Sequence, residues 1–125
     1  MQLRNQETKG AKMDPEQERE VFELQADVCL ALANSRRLQI LGLLKDGERS
    51  VGQMLEKIEI NKANMSQHLS ILKQKGLLVS RREGTVVYYR LASPRITEAC
   101  SIMRDVLLET LRQKERLSKS MRDVL

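Results

Sequence analysis

The sequence predicts a mainly α-helical fold carrying one small β-hairpin. Three observations predict it. Apolar residues recur at three- and four-residue spacing along most of the chain. A single β-prone stretch, GLLVSRREGTVVYYRL, is broken once by Glu83-Gly84. The apolar content is mostly Leu, Ile, Val and Met, with no Trp and only Phe22, Tyr88 and Tyr89 as aromatics, which suits helix-on-helix packing. A chain of 125 residues suits one domain with one core.

Residues 1–14 are polar and unpatterned, so a flexible N-terminal arm is expected, followed by a single domain over 15–125. Asp14-Pro15-Glu16 starts the first helix, with Asp as cap and Pro in the first turn. It runs to about Ala33, with Val21, Leu24, Val28 and Ala31-Leu32 as its buried stripe. Asn34-Ser35 interrupts and recaps. A second helix from Arg36 to about Lys45 carries Leu38, Ile40-Leu41 and Leu44, and Asp46-Gly47 ends it. Ser50 caps a third helix, SVGQMLEKI, that buries Val51, Leu55 and Met54. Glu59-Ile60 turns into a fourth.

That fourth helix, within IEINKANMSQHLSILK, carries the most information. Asn61 caps it, and Met65, Leu69 and Leu72 at i, i+4, i+7 make one narrow apolar stripe. Asn64 and Gln67 point away from the stripe, with Lys62, Ser66 and His68 on its flanks. Short hydrogen-bonding side chains on an exposed helix face suit the major groove of DNA, where amides and cations read base edges and hydroxyls hold phosphates. An ordinary surface helix would carry Glu/Lys pairs instead. The hairpin follows, with Arg81 and Arg82 near its tip. Ser93-Pro94 then starts a long last helix, with Ile96, Ala99, Met103, Val106-Leu107, Thr110-Leu111, Lys114, Leu117 and Met121 on one face.

A helix-turn-helix followed by a basic two-stranded ribbon is a winged helix, in the order α-α-α-α-β-β-α. Charge location favours DNA as its partner. Residues 61–90 hold Lys62, Lys73, Lys75, Arg81, Arg82 and Arg90 against Glu83 alone, a net +5 that equals the formal charge of the whole chain. A concentrated basic surface is the footprint of phosphate binding. The last helix is too long and apolar for a small winged domain to cover, and the first is similar. A homodimer through the terminal helices is therefore expected. Its two recognition helices would enter successive major grooves about one helical turn, ~34 Å, apart, on an imperfectly palindromic duplex operator.

Other classes fit less well. With one His and no Gly-rich phosphate loop, the chain lacks the groups an enzyme needs. No apolar run approaches the ~20 residues of a membrane span, and the N-terminus has no secretory signal. A cytoplasmic protein is expected, with Cys29 and Cys100 reduced. The stronger rival is a winged-helix protein-interaction module, which would lack a focused basic recognition surface.

Three segments together go beyond a generic helix-turn-helix: ALANSRRLQILGLL (31–44), MSQHLSILKQKGLL (65–78) and SRREGTVVYYRL (80–91). Combined, they closely resemble the ArsR/SmtB family of bacterial winged-helix repressors, over roughly Ala31 to Leu91. The resemblance implies a dimeric transcriptional repressor released from its operator by an inducer. By position it implies DNA contacts at Lys62, Asn64, Ser66, Gln67 and His68, with Asn61 at the helix start, and at Arg81 and Arg82 in the wing. From the residues alone, a lone His beside a helix stripe is more often a packing or capping residue than a ligand.

The family's recurring metal sites use a Cys-x-Cys pair before the recognition helix or His and acidic pairs on the last helix. Here SVGQMLEKI has no Cys and residues 95–116 have no His. A zinc site needs about four ligands, so no such metal site is expected. Cys29, late in the first helix, and Cys100, early in the last, are the candidate effector-sensing residues. Some relatives pair an early-helix and a last-helix cysteine to sense persulfides or oxidants; here Cys29 is displaced from that first position, where Gly42 stands. The chemistry requires a thiolate, and Arg95 and Arg104 lie close in sequence to Cys100. The readings left open are a dithiol redox or reactive-sulfur switch, As(III) held by cysteines alone, and two small buried hydrophobes. No resident cofactor is expected.

Overall fold

The computed structural model describes residues 12–124. The flexible arm expected over residues 1–14 lies almost wholly outside them. The elements are α1 (Pro15–Leu32), α2 (Ser35–Leu43), a 3₁₀ turn (Leu44–Asp46), β1 (Arg49–Ser50), α3 (Val51–Lys57), α4 (Lys62–Gln74), β2 (Leu78–Glu83), β3 (Val86–Leu91) and α5 (Arg95–Val124).

Local chemistry sets the boundaries. Asp14 accepts from the Gln17 backbone N–H, and Gln17 Oε1 accepts from the Asp14 N–H, a reciprocal capping box with Pro15 at the first position. Asn34 caps α2 by accepting from the Arg37 N–H at 3.1 Å. Ser50 and Gln53 form a second capping box on α3. Helix α4 ends in a Schellman turn: Leu77 N–H donates to the Leu72 carbonyl and Gly76 N–H to that of Lys73. Gly76 takes φ +78°, which only glycine adopts without strain.

The core is built where α2, α3, α4 and the base of the sheet meet. Ile40, Leu41, Leu44, Met54, Met65, Leu69, Leu72 and Leu78 are fully buried, and Ala31 brings in the end of α1. Burying a Leu, Ile or Met side chain contributes about 1.5–3 kcal/mol, so these eight hold the helix-turn-helix together.

Four expectations are corrected in detail. The sheet has three strands, ordered β1-β3-β2, because Arg49 and Ser50 pair with Tyr89 and Tyr88. Ser50 thus begins a helix and closes a strand pair at once. The hairpin loop is Gly84-Thr85, with Glu83 paired to Val86 and Gly84 at φ +65°. Helix α2 stops at Leu43 and tightens into the 3₁₀ turn, and its Leu38 is exposed. Val21 and Leu24 are not buried either: every residue from Pro15 to Asp27 is exposed, since only the last turn and a half of α1 reaches the body. The same holds for α5, where Ile96 packs on the core but Ser101–Val124 is exposed throughout. Among the described residues no helix is long and apolar enough to cross a membrane.

Candidate nucleic-acid interface

Burial of Met65, Leu69 and Leu72 fixes which face of α4 looks outward. At 100° per residue the opposite face carries Ala63, Gln67, Ser70 and Gln74. All four are exposed, as are Lys62, Asn64 and Ser66 beside them. Gln67 sits at the centre of this face, as its position in the sequence predicted. Ala63, Ser70 and Gln74 were missed, although the spacing 63/67/70/74 is itself a helix-face signature. Asn61 uses its Oδ1 in the cap, accepting from the Asn64 N–H at 2.8 Å, which leaves its amide NH₂ open to a ligand.

His68 has a different setting from its neighbours. It is half-buried at the edge of the apolar stripe, and its Nδ1 accepts from Arg37 Nε at 3.1 Å. Burial lowers its pKa below the usual histidine value, and the charges of Arg37 and Arg36 lower it further. The ring is therefore neutral at physiological pH, with its proton on Nε2. The DNA contact expected of His68 has only that Nε2 edge with which to be made.

The wing separates its two arginines. Arg81 pairs across the hairpin with Tyr88, and Arg82 with Val87, so strand alternation puts them on opposite faces. Arg81 is spoken for. Its Nε and Nη2 donate to the two oxygens of Glu48, each at 2.8 Å, its Nη1 donates to Glu83 at 2.7 Å, and its guanidinium lies 4.4 Å from the Tyr88 ring centroid. The Arg81 hydrogen bond holds the Glu48 carboxyl below its usual range, outweighing the opposing effect of burial. Arg82 is exposed and has no ion pair among the described residues. Glu48 went unnoticed in the sequence because its partner lies 33 residues away.

The basic stretch over 61–90 is thus smaller in space than in sequence. Lys75 is paired with Asp27 at 2.6 Å and Arg81 with Glu48 and Glu83. Lys62, Lys73, Arg82 and Arg90 have no carboxylate partner among the described residues. What remains is a polar helix face flanked by a few open cations, an arrangement suited to base reading by the face and phosphate holding by the cations.

The two cysteines are free. Cys29 is exposed on α1, and Cys100 is half-exposed near the start of α5. The reading that both are buried small hydrophobes therefore fails within the single chain. Among the described residues no group of three or more His, Cys, Asp or Glu is placed to hold a metal ion.

Comparisons with known proteins agree with this geometry. Residues 34–80 match the model of the family described as bacterial regulatory protein, arsR family. The transcriptional activator HlyU of Vibrio cholerae is 44% identical over 89 residues, which span 70% of this chain and 82% of that protein. The homodimeric winged helix-turn-helix DNA-binding domain of Mb0332 from Mycobacterium bovis superposes with a TM-score of 0.71 at 37% identity, covering 80% of this chain and 93% of that one. Rv0081 of Mycobacterium tuberculosis gives 0.69 at 32% identity over 82% and 98%. This is a winged helix-turn-helix transcription regulator and not an enzyme: the chain belongs to the arsR family of bacterial regulatory proteins.

Proposed function

We propose that the chain is a homodimeric cytoplasmic repressor that binds an imperfectly palindromic DNA operator and is released by a cysteine-read signal, either oxidant or reactive sulfur. The observation that carries the DNA half is the open face of α4, with Gln67 at its centre and Arg82 free on the wing. Dimerisation is supported by the exposed apolar faces of α1 and α5 and by the homodimeric form of the Mb0332 domain. Repression follows the relative SdpR of Bacillus subtilis, named a transcriptional repressor.

The sensing half rests on two free thiols, each on a helix whose apolar face is unpartnered within the chain. HlyU of Vibrio cholerae is itself described in a reduced form. A disulfide between the two sulfurs forms as an oxidant takes two electrons and two protons leave. A polysulfide is instead both sulfur donor and oxidant: one thiolate attacks its S–S bond and expels hydrosulfide, the second thiolate attacks the resulting protein polysulfide and expels another, and extra sulfur remains between the two residues. Either bridge alters how the terminal helices meet and hence the spacing of the two reading heads.

The test is operator affinity by fluorescence anisotropy, using a duplex selected from a random library. The protein is compared reduced, oxidised, treated with polysulfide, and treated with As(III), with mass spectrometry alongside. Loss of affinity that tracks a Cys29–Cys100 bridge, and vanishes in Cys29→Ser and Cys100→Ser, is the expected result. Loss with As(III) alone replaces the signal with a metalloid. No change under any treatment removes the cysteines from sensing.

A further inference from the structure

We propose that Arg37 is a positioning residue for operator recognition, fixing the rotation of α4 about its own axis through His68. The inference rests on α4 being the reading helix. Arg37 lies in the first turn of α2, where Asn34 holds its backbone N–H. From there its guanidinium makes two bonds to different elements. Nη1 donates to the Ala31 carbonyl in the last turn of α1 at 3.1 Å, and Nε donates to His68 Nδ1 on α4 at 3.1 Å. One planar side chain thus joins the end of the first helix, the second helix and the middle of the reading helix.

The need for such a contact follows from the rest of the packing. Met65, Leu69 and Leu72 anchor α4 by apolar contact, which is strong but non-directional. A helix held by a smooth apolar stripe is softest to rotation about its axis. A side-chain tip about 5–6 Å from that axis moves roughly 1.5 Å for a turn of about 15°, enough to break a two-point hydrogen bond to a base edge. The Arg37–His68 bond is directional and sits at the rim of the stripe, one residue from Gln67. It resists the motion that would misplace Gln67.

The bond also prescribes the state of His68. Nδ1 accepts only when unprotonated; a second proton there turns the acceptor into a cation facing a guanidinium. The charged groups acting on the ring are Arg37 and Arg36, both from α2, and both oppose its protonation. Acidification should therefore release α4 and degrade selectivity. A His68 that contacted phosphate as a cation would do the opposite and strengthen binding to every duplex.

The experiment measures the ratio of affinities for a library-selected duplex and a scrambled one, between about pH 5.5 and 8. Four forms of the full chain are compared: wild type, Arg37→Lys, His68→Asn and Gln67→Ala. Lysine keeps the charge but cannot span both acceptors. Asparagine places an acceptor near the Nδ1 position and does not titrate. The expected result is a roughly tenfold loss of selectivity in Arg37→Lys with scrambled-duplex affinity retained, a wild-type ratio that falls on acidification, and a ratio in His68→Asn that stays flat across the pH range. Wild-type selectivity in Arg37→Lys, equal loss on both duplexes, or tighter binding to both duplexes at low pH would each overturn the proposal. If Arg37→Lys melts early, the His68→Asn profile still decides. Unchanged selectivity in Gln67→Ala would instead show that α4 is not the reading helix.

Discussion

Arg81 and Glu48 form a two-point ion pair, Nε to Oε2 and Nη2 to Oε1, both at 2.8 Å, that ties the wing to the loop before β1. Glu83 accepts from Nη1, and the guanidinium lies over the Tyr88 ring. Two carboxylates on one guanidinium leave no net positive charge at that point of the wing, so the arginine that looks like a phosphate clamp acts as a strut. Its neighbour Arg82, on the other face of the same strand, is the cation free to meet DNA.

The first prediction separates the two. Arg82→Ala should weaken binding to all duplexes and reduce the slope of log affinity against log salt by about 1 per wing, or about 2 for the dimer on its operator. Arg81→Ala should leave that slope near the wild-type value while lowering affinity through a less ordered wing. Anisotropy titrations over a salt series read both. A slope reduced equally by Arg81→Ala would show that the ion pair opens on DNA and that Arg81 is a phosphate ligand after all.

The strut also gives a pH dependence with a definite sign. Glu48 has a folded pKa below its ordinary 4.5, chiefly because Arg81 bonds the ionised form. A depressed carboxylate favours the folded arrangement above the unfolded pKa and loses that contribution as pH falls through the lower, folded value. The pair is exposed, so global stability should change little. The local signal should be clear: the Tyr88 ring resonances should titrate with a midpoint below 4.5, and Glu48→Gln should abolish the transition. A midpoint at or above 4.5 counts against the assignment.

The division between what the chain's sequence disclosed and what it hid follows the range of the interactions. Caps at Asp14, Asn34, Ser50 and Asn61 are local bonds spanning three residues, and each was readable. The buried stripe of α4 was readable from spacing, and with it the outward place of Gln67. The contacts that were not legible join distant segments: Arg37 to His68 over 31 residues and Arg81 to Glu48 over 33. Composition over 61–90 overcounted the free cations for the same reason, since the carboxylates that neutralise Lys75 and Arg81 include Asp27 and Glu48 from outside that window. Apolar periodicity located the stripe of α1 but not what covers it: Val21 and Leu24 are exposed because the fold ends before reaching them.

Base reading itself is tested at Gln67. A glutamine amide offers one donor and one acceptor, the pattern that pairs with adenine in the major groove. Gln67→Ala should cost roughly 1–3 kcal/mol per half-site and flatten the preference at one position of each. Repeating the library selection with the variant shows which position relaxes. An unchanged consensus would mean that sequence is read elsewhere on the surface.

The last prediction concerns α5. Its apolar side chains Met103, Val106, Leu107, Leu111, Leu117 and Met121 share one face and are all half or more exposed in the single chain. Thr110, on the same face, turns its hydroxyl back to the Val106 carbonyl at 3.1 Å and so leaves its methyl outward. A 30-residue helix with such a face gains most of its stability from a partner. A second copy supplies an equivalent face, and pairing sets two reading heads against one duplex. Leu111→Glu puts a carboxylate in the middle of that face and stays compatible with a helix. Light scattering should then report half the wild-type mass. Operator affinity should fall much further than affinity for an isolated half-site, because only the dimer couples two half-sites. If Leu111→Glu retains the dimer mass and full operator affinity, the α5 face is not the joining surface, and α1, with Phe22 exposed, becomes the place to put the next charge.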